Sequence, residues 1–212
     1  RIPVVNIIGS EGNGIYGAAF NIYNIMLVLS SYGLPMAVSK LVSARFTKKR
    51  YKSAAKVLRC SLMVAVCTGG IAALLVFFGA SFIENVIYGG GLPGLAIPLR
   101  ILAPTIFLVA ILGVIRGFFQ GQSTMIPTAV SQILEQIVNA IVSIAAGYGM
   151  MKAFASSPDV AAYGAAGSTL GTAMGALTAV LFMGFLYAVY TPTFNRLKRK
   201  DRHTENQSTG QI

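Results

Sequence analysis

Glu135 is the only charged residue between Pro127 and Met151, and it stands in a row of hydrogen-bonding side chains. Thr128, Gln132, Glu135, Gln136, Asn139 and Ser143 recur at spacings of three and four, which places them on one face of a helix. A charged group deep in lipid is costly, so such a face turns toward a cavity or a partner. Two chemistries fit the row. It can wall a hydrophilic translocation cavity, or it can form an interhelical hydrogen-bond seam with Glu135 protonated or paired.

A looser polar stripe precedes it: Asn13, Tyr16, Asn21, Asn24 and Ser31, with Asn21 and Asn24 one turn apart. It can line a cavity or join helices. Arg116 opens the run Arg116-Gly117-Phe118-Phe119-Gln120-Gly121. A guanidinium suits phosphate oxygens. It can equally snorkel to the headgroups or pair with Glu135. Arg1 heads an apolar run, in what reads as a helix already under way.

Other chemistries lack their residues. There is no Gly-rich loop ending in Gly-Lys-Ser/Thr, no nucleophile elbow and no metal-spaced acid cluster. The only histidine, His203, lies in a polar tail. Cys60 and Cys67 sit about 10 Å apart on a helix, too far for a disulfide. No cofactor or metal is expected. A membrane-bound glycan-modifying enzyme would need acids or histidine in an outer loop, and Ile87 to Pro98 and Ala155 to Asp159 offer almost none.

The elements that must carry these residues are apolar and long. Charged residues are 11% of the 212, against about 25% in soluble domains, and hydrophobic residues are 55%. A spanning helix needs about 20 mostly apolar residues. The spacing of breakers predicts a truncated first helix ending at Gly9, a turn over Ser10 to Gly14, and five full spans near 15–44, 54–83, 99–119, 127–151 and 160–190. Gly33-Leu34-Pro35 should kink the first of these, and Thr191-Pro192 should end the last. Residues 1–195 then form one transmembrane unit, and 196–212 a basic tail or linker. Gly113, Gly117 and Gly121, and Gly167, Gly171 and Gly175, repeat every four residues and should let helices approach closely.

Net charge is +11, and thirteen of the seventeen Lys and Arg fall in two blocks. The first runs from Lys40 to Arg59 with no acid among its eight cations, and the second from Arg196 to Arg202. Both flank apolar helices, so the positive-inside rule explains them and places both in the cytoplasm. Nucleic acid is not an expected partner. Anionic lipid is drawn to such blocks.

Four runs carry a resemblance. They are Gly14-Ile-Tyr-Gly-Ala-Ala-Phe-Asn-Ile-Tyr-Asn, Gly33-Leu-Pro-Met-Ala-Val-Ser-Lys-Leu-Val-Ser, Arg116-Gly-Phe-Phe-Gln-Gly and Pro127-Thr-Ala-Val-Ser-Gln-Ile-Leu-Glu-Gln. In this order they resemble the polysaccharide-transporter branch of the multidrug/oligosaccharidyl-lipid/polysaccharide exporter superfamily. The similarity is to its stage V sporulation protein B and MurJ/MviN lipid II flippase types.

The resemblance implies an all-α, polytopic membrane helix bundle: the N-terminal six-helix lobe of a two-lobe MATE-like transporter in the bacterial cytoplasmic membrane. It implies an undecaprenyl-diphosphate-linked glycan as ligand, moved between leaflets by alternating access. In the family, arginines of the first helix line the central cavity and meet the diphosphate, and Arg1 falls at one such position. The Gram-negative type also carries arginine in its second helix, where this sequence has Leu27-Val28.

The resulting expectation is a flippase for a cell-wall precursor, with lipid II as first candidate. Its expected site residues are Arg1, Asn24, Arg116, Gln132, Glu135, Gln136 and Asn139. The rival is a cation-coupled multidrug antiporter of the same superfamily, using Glu135 as its ion site.

Overall fold

The computed structural model describes residues 2–30, 33–89, 91–155, 157 and 159–201, with side chains from residue 8 onward. Six α-helices follow one another: α1 (Ile2–Ser30), α2 (Leu34–Thr47), α3 (Tyr51–Phe82), α4 (Ala96–Gln120), α5 (Ile126–Ala153) and α6 (Val160–Lys200). A π-helical turn, Ile83–Ile87, prolongs α3. There is no strand among the described residues. Five stretches are long and apolar enough to cross a bilayer, from Ile8–Thr47 (α1 with α2) to Val160–Lys200. The fold is an all-α polytopic membrane bundle.

Three boundaries differ from the expected ones, each for a local reason. Ser10 to Gly14 is helix rather than turn. The break sits on Gly9 alone, at φ 71° and ψ −178°, a conformation only glycine adopts without strain. The kink expected inside one span is a junction between two helices, α1 and α2. Pro35 falls in the first turn of α2, where its missing N–H costs nothing. Pro192 does not end α6, which continues to Lys200. Thr191 Oγ1 donates to the Tyr187 carbonyl at 2.7 Å, and the extension beyond Pro192 is held by packing.

That packing is aromatic. Phe194 is fully buried among Phe46, Phe118 and Tyr190, stacked parallel on Phe46 at 6.1 Å, and Lys198 Nζ lies 4.6 Å above its ring. The first basic block and Arg196 to Lys200 are thereby drawn to one end of the bundle. There the buried Asp201 accepts the backbone N–H of Lys52 at 3.0 Å, capping the N-terminus of α3. At the other end Glu84 caps α4 with both oxygens, accepting Gly94 N–H at 3.0 Å and Ala96 N–H at 2.7 Å.

Two apolar clusters stack along the bundle axis. One, around Ile15, Leu99 and Ile106, joins α1 to α3, α4 and α6; the other, around Val42, Phe118 and Met183, joins α2 to the same three helices. Small residues set the helix separations. A Cβ on Gly117 would lie 2.6 Å from the Pro35 carbonyl oxygen, and one on Gly167 2.5 Å from that of Ala146. The two glycine rows thus seat α2 against α4 and α5 against α6. Large apolar side chains outside these contacts, such as Leu74, Phe78 and Phe82 on α3 and Ile133, Ile137 and Ile141 on α5, are exposed, as lipid-facing residues are.

Candidate functional site between α1 and α5

The α5 face carries polar residues because α6 leaves it nothing bulky to meet. The glycine row of α6 receives the backbone of α5 at Glu135, Asn139 and Ser143. This close seat turns the neighbouring α5 side chains toward α1. There a cavity of about 540 Å³ opens, inside the about 300–1,000 Å³ span of small-molecule sites.

Its walls are mostly amides and rings. α1 supplies Asn13, Asn21 and Asn24 together with Tyr16, Phe20 and Tyr23; α5 supplies Glu135, Gln136 and Asn139; Ser143 and Thr172 form the rear. The three rings run up one face of α1 at 5.3 Å centroid steps. Each amide offers two donors and an acceptor, so the wall can satisfy a ligand that both donates and accepts many hydrogen bonds. Among the described residues no Lys or Arg lines this cavity.

The cation lies just behind the wall. Arg116 Nη2 donates to Glu135 Oε2 at 2.7 Å, and its Nε donates to Ser131 Oγ at 2.9 Å. Ser131 in turn donates to the Thr128 carbonyl at 2.7 Å. The ion pair is mostly enclosed, with Arg116 14% and Glu135 20% exposed. It is a substantial link between α4 and α5, which otherwise touch little although consecutive in the chain.

The expected site residues therefore divide. Asn24, Glu135, Gln136 and Asn139 meet in the α1–α5 cavity. Arg116 and Gln132 line a second recess of about 290 Å³, with Thr128 and Gln120. Arg1 and Ser31 lie outside the described residues. The polar row on α5 is both cavity wall and seam: Ser143 Oγ also reaches the Ser168 carbonyl of α6 at 2.8 Å. Sequence reasoning missed Phe20 and Tyr23, although Tyr16, Phe20 and Tyr23 have helical spacing. It missed Ser131 because the next residue, Gln132, was read in its place. Thr172 was hidden by the adjacent Gly171 row. Among the described residues no three His, Cys, Asp or Glu side chains gather as metal ligands.

Residues 1–209 match the polysaccharide biosynthesis protein family. The chain is 34% identical to the lipid II flippase MurJ of Bacillus subtilis (strain 168) over 159 residues, 72% of this chain and 29% of that protein. It is 30% identical to stage V sporulation protein B of the same organism over 185 residues, 86% of this chain and 34% of that one. An uncharacterized membrane protein of that organism, YabM, is 29% identical over 209 residues, 99% of this chain and 36% of its own length. The chain thus spans about a third of the length of the curated relatives it matches. No solved structure matches it. With a family match over nearly its whole length, on a bundle of five apolar spans, the chain belongs to the polysaccharide biosynthesis proteins, multi-pass bacterial membrane proteins of the multidrug/oligosaccharidyl-lipid/polysaccharide exporter superfamily.

Proposed function

We propose that this chain is the N-terminal lobe of a flippase for an undecaprenyl-diphosphate-linked glycan, with the peptidoglycan precursor lipid II as first candidate. The observation that carries the reading is the amide- and ring-lined cavity between α1 and α5, set in a bundle whose solvent is lipid. Amides match vicinal hydroxyls, and the row Tyr16–Phe20–Tyr23 offers flat apolar faces to the C–H side of a sugar ring. Asn13, Asn21, Asn24 and Gln136 are exposed on this face, which suits a water-filled path shared with a second lobe and not contact with lipid.

Alternating access would follow from rocking of the two lobes around the cavity. Arg1 would contribute to diphosphate binding. Transport, not bond chemistry, is the activity. The relatives' names support this reading: one is a lipid II flippase, another a sporulation protein. The rival, cation-coupled drug efflux through Glu135, fits less well because that carboxylate is held by Arg116.

The test is complementation. A cell depleted of its essential lipid II flippase should grow when supplied with the full-length gene, and Asn24→Leu combined with Asn139→Leu should abolish rescue at normal expression. Absence of rescue by well-expressed parent protein would overturn the peptidoglycan substrate.

A further inference from the structure

We infer that the recess behind the Arg116–Glu135 pair is a separate phosphate-binding subsite, whose occupant competes with Glu135 for the guanidinium. It deepens the flippase reading and rests on it for one point only, that the phosphate arrives on a lipid.

The recess has the groups a phosphate needs, and some stand unused. Arg116 spends Nε on Ser131 and Nη2 on Glu135, while Nη1 meets no acceptor among the described residues. Thr128 lines the same recess at 6% exposure, and its Oγ1 is buried with no hydrogen-bond partner. A buried hydroxyl without a partner is uncommon in a folded protein and asks for an explanation such as a missing ligand. Gln132 adds an exposed amide. Opposite them Leu27, Pro35 and Val109 form an apolar wall.

The recess is therefore amphiphilic, polar on one side and apolar on the other, as the junction between a phosphate and a hydrocarbon chain would require. A neighbouring recess of about 470 Å³ shares Pro35 and Gln120 with it and brings Lys40, Ser39 and Ser43. A second phosphate would find its cation there. Arg116 is four residues from the end of α4, about 6 Å along the axis, at the same end as the basic blocks. That is the headgroup depth at which a lipid phosphate lies.

The two cavities share one wall, and the ion pair is in it. Glu135 faces the amide cavity and Arg116 the recess. A phosphate that draws the guanidinium toward itself weakens its hold on Glu135 and leaves a freer carboxylate in the amide cavity. Occupancy on one side of the wall is thereby linked to charge on the other.

The test uses the purified full-length protein in phosphatidylcholine nanodiscs, with inorganic pyrophosphate and farnesyl diphosphate as probes. Both should bind, farnesyl diphosphate more tightly. Thr128→Val removes a hydroxyl that has no protein partner, so folding should be unaffected while affinity falls about fivefold. Arg116→Lys should cost about tenfold or more, since the fork geometry is lost. Glu135→Gln should tighten binding by removing the competitor. Adding phosphatidylglycerol separates the sources: displacement of the probe assigns the phosphate to bulk headgroups, and no displacement to a lipid diphosphate; either supports the subsite. Unchanged affinity in Thr128→Val, or weaker binding in Glu135→Gln, would overturn it. Failed rescue of the flippase-depleted cell with these variant effects intact would sink the lipid II reading and leave the subsite standing.

Discussion

Gly175 of α6 lies against Glu135 of α5 so closely that a Cβ on the glycine would stand 2.7 Å from the Glu135 carbonyl oxygen. The residue that anchors the cavity wall is thus positioned by a missing side chain on the next helix. A side chain at Gly175 must push α5 away or distort it. Gly175→Val should lower stability by about 1–3 kcal/mol, the usual range for overpacking. The check is a thermal melt of the purified full-length protein. Gly149→Ala, on the same pair of helices but with nothing within 4 Å of its Cβ position, should leave the melting temperature unchanged or slightly raised.

The Arg116–Glu135 pair should behave as a unit. Removing either charge strands the other in a site less than about a quarter exposed. For a fully buried pair such a loss costs about 3–5 kcal/mol, and partial exposure reduces it here to about 2 kcal/mol. Arg116→Gln and Glu135→Gln should each destabilise, and the double variant should recover more than half of the summed loss. Unfolding in mixed micelles through a double-mutant cycle measures the coupling. Strictly additive losses would mean that the two side chains do not hold α4 and α5 together.

Much of this architecture is legible in the sequence, because lipid makes helix length and apolarity nearly sufficient evidence for a span. The polar row on α5 is legible for the same reason: Glu135 has no business in hydrocarbon. Pairing of Arg116 with Glu135 is readable as one option, since both lie near the same ends of consecutive spans. What the residues do not disclose is which neighbour each polar group meets. Gln132 and Gln136 are one turn apart on α5 yet line different cavities, a division made by where α4 and α1 pack. Pro192 reads as a stop because local rules see its missing N–H, and not the ring of Phe194 buried two residues later. Nothing in the sequence marks Glu84 as a cap, although both its oxygens hold the start of α4.

That cap gives a prediction of its own. Glu84→Ala leaves the N–H groups of Gly94 and Ala96 without acceptors at the start of a helix whose first residues are apolar. Charged caps of this kind are worth about 1–2 kcal/mol. Amide hydrogen exchange across Gly94 to Leu99 should speed up by at least about fivefold. Glu84→Gln, which keeps one acceptor and loses the charge, should fall between. Exchange that stays at the parent rate in Glu84→Ala would show that the carboxylate does not hold this turn.

The extension of α6 beyond Pro192 is the remaining test of tertiary packing over local propensity. Pro192 removes one helical hydrogen bond and crowds the preceding turn, at a cost of about 3 kcal/mol in a helix interior. A basic extension ending in Lys198, Arg199 and Lys200 does not repay that alone, although cations suit a helix C-terminus. The repayment must come from Phe194, buried against Phe46, Phe118 and Tyr190, and from Asp201 on the α3 N-terminus. Phe194→Ala should therefore cost about 3–5 kcal/mol locally and release the extension. Limited trypsin digestion should then cut at Arg196 and Lys198 in the variant while sparing them in the parent. Phe194→Leu, which keeps bulk without the ring stack, should be intermediate. If the parent is cut as fast as Phe194→Ala, the extension is not docked, and Thr191-Pro192 is the end of the span after all.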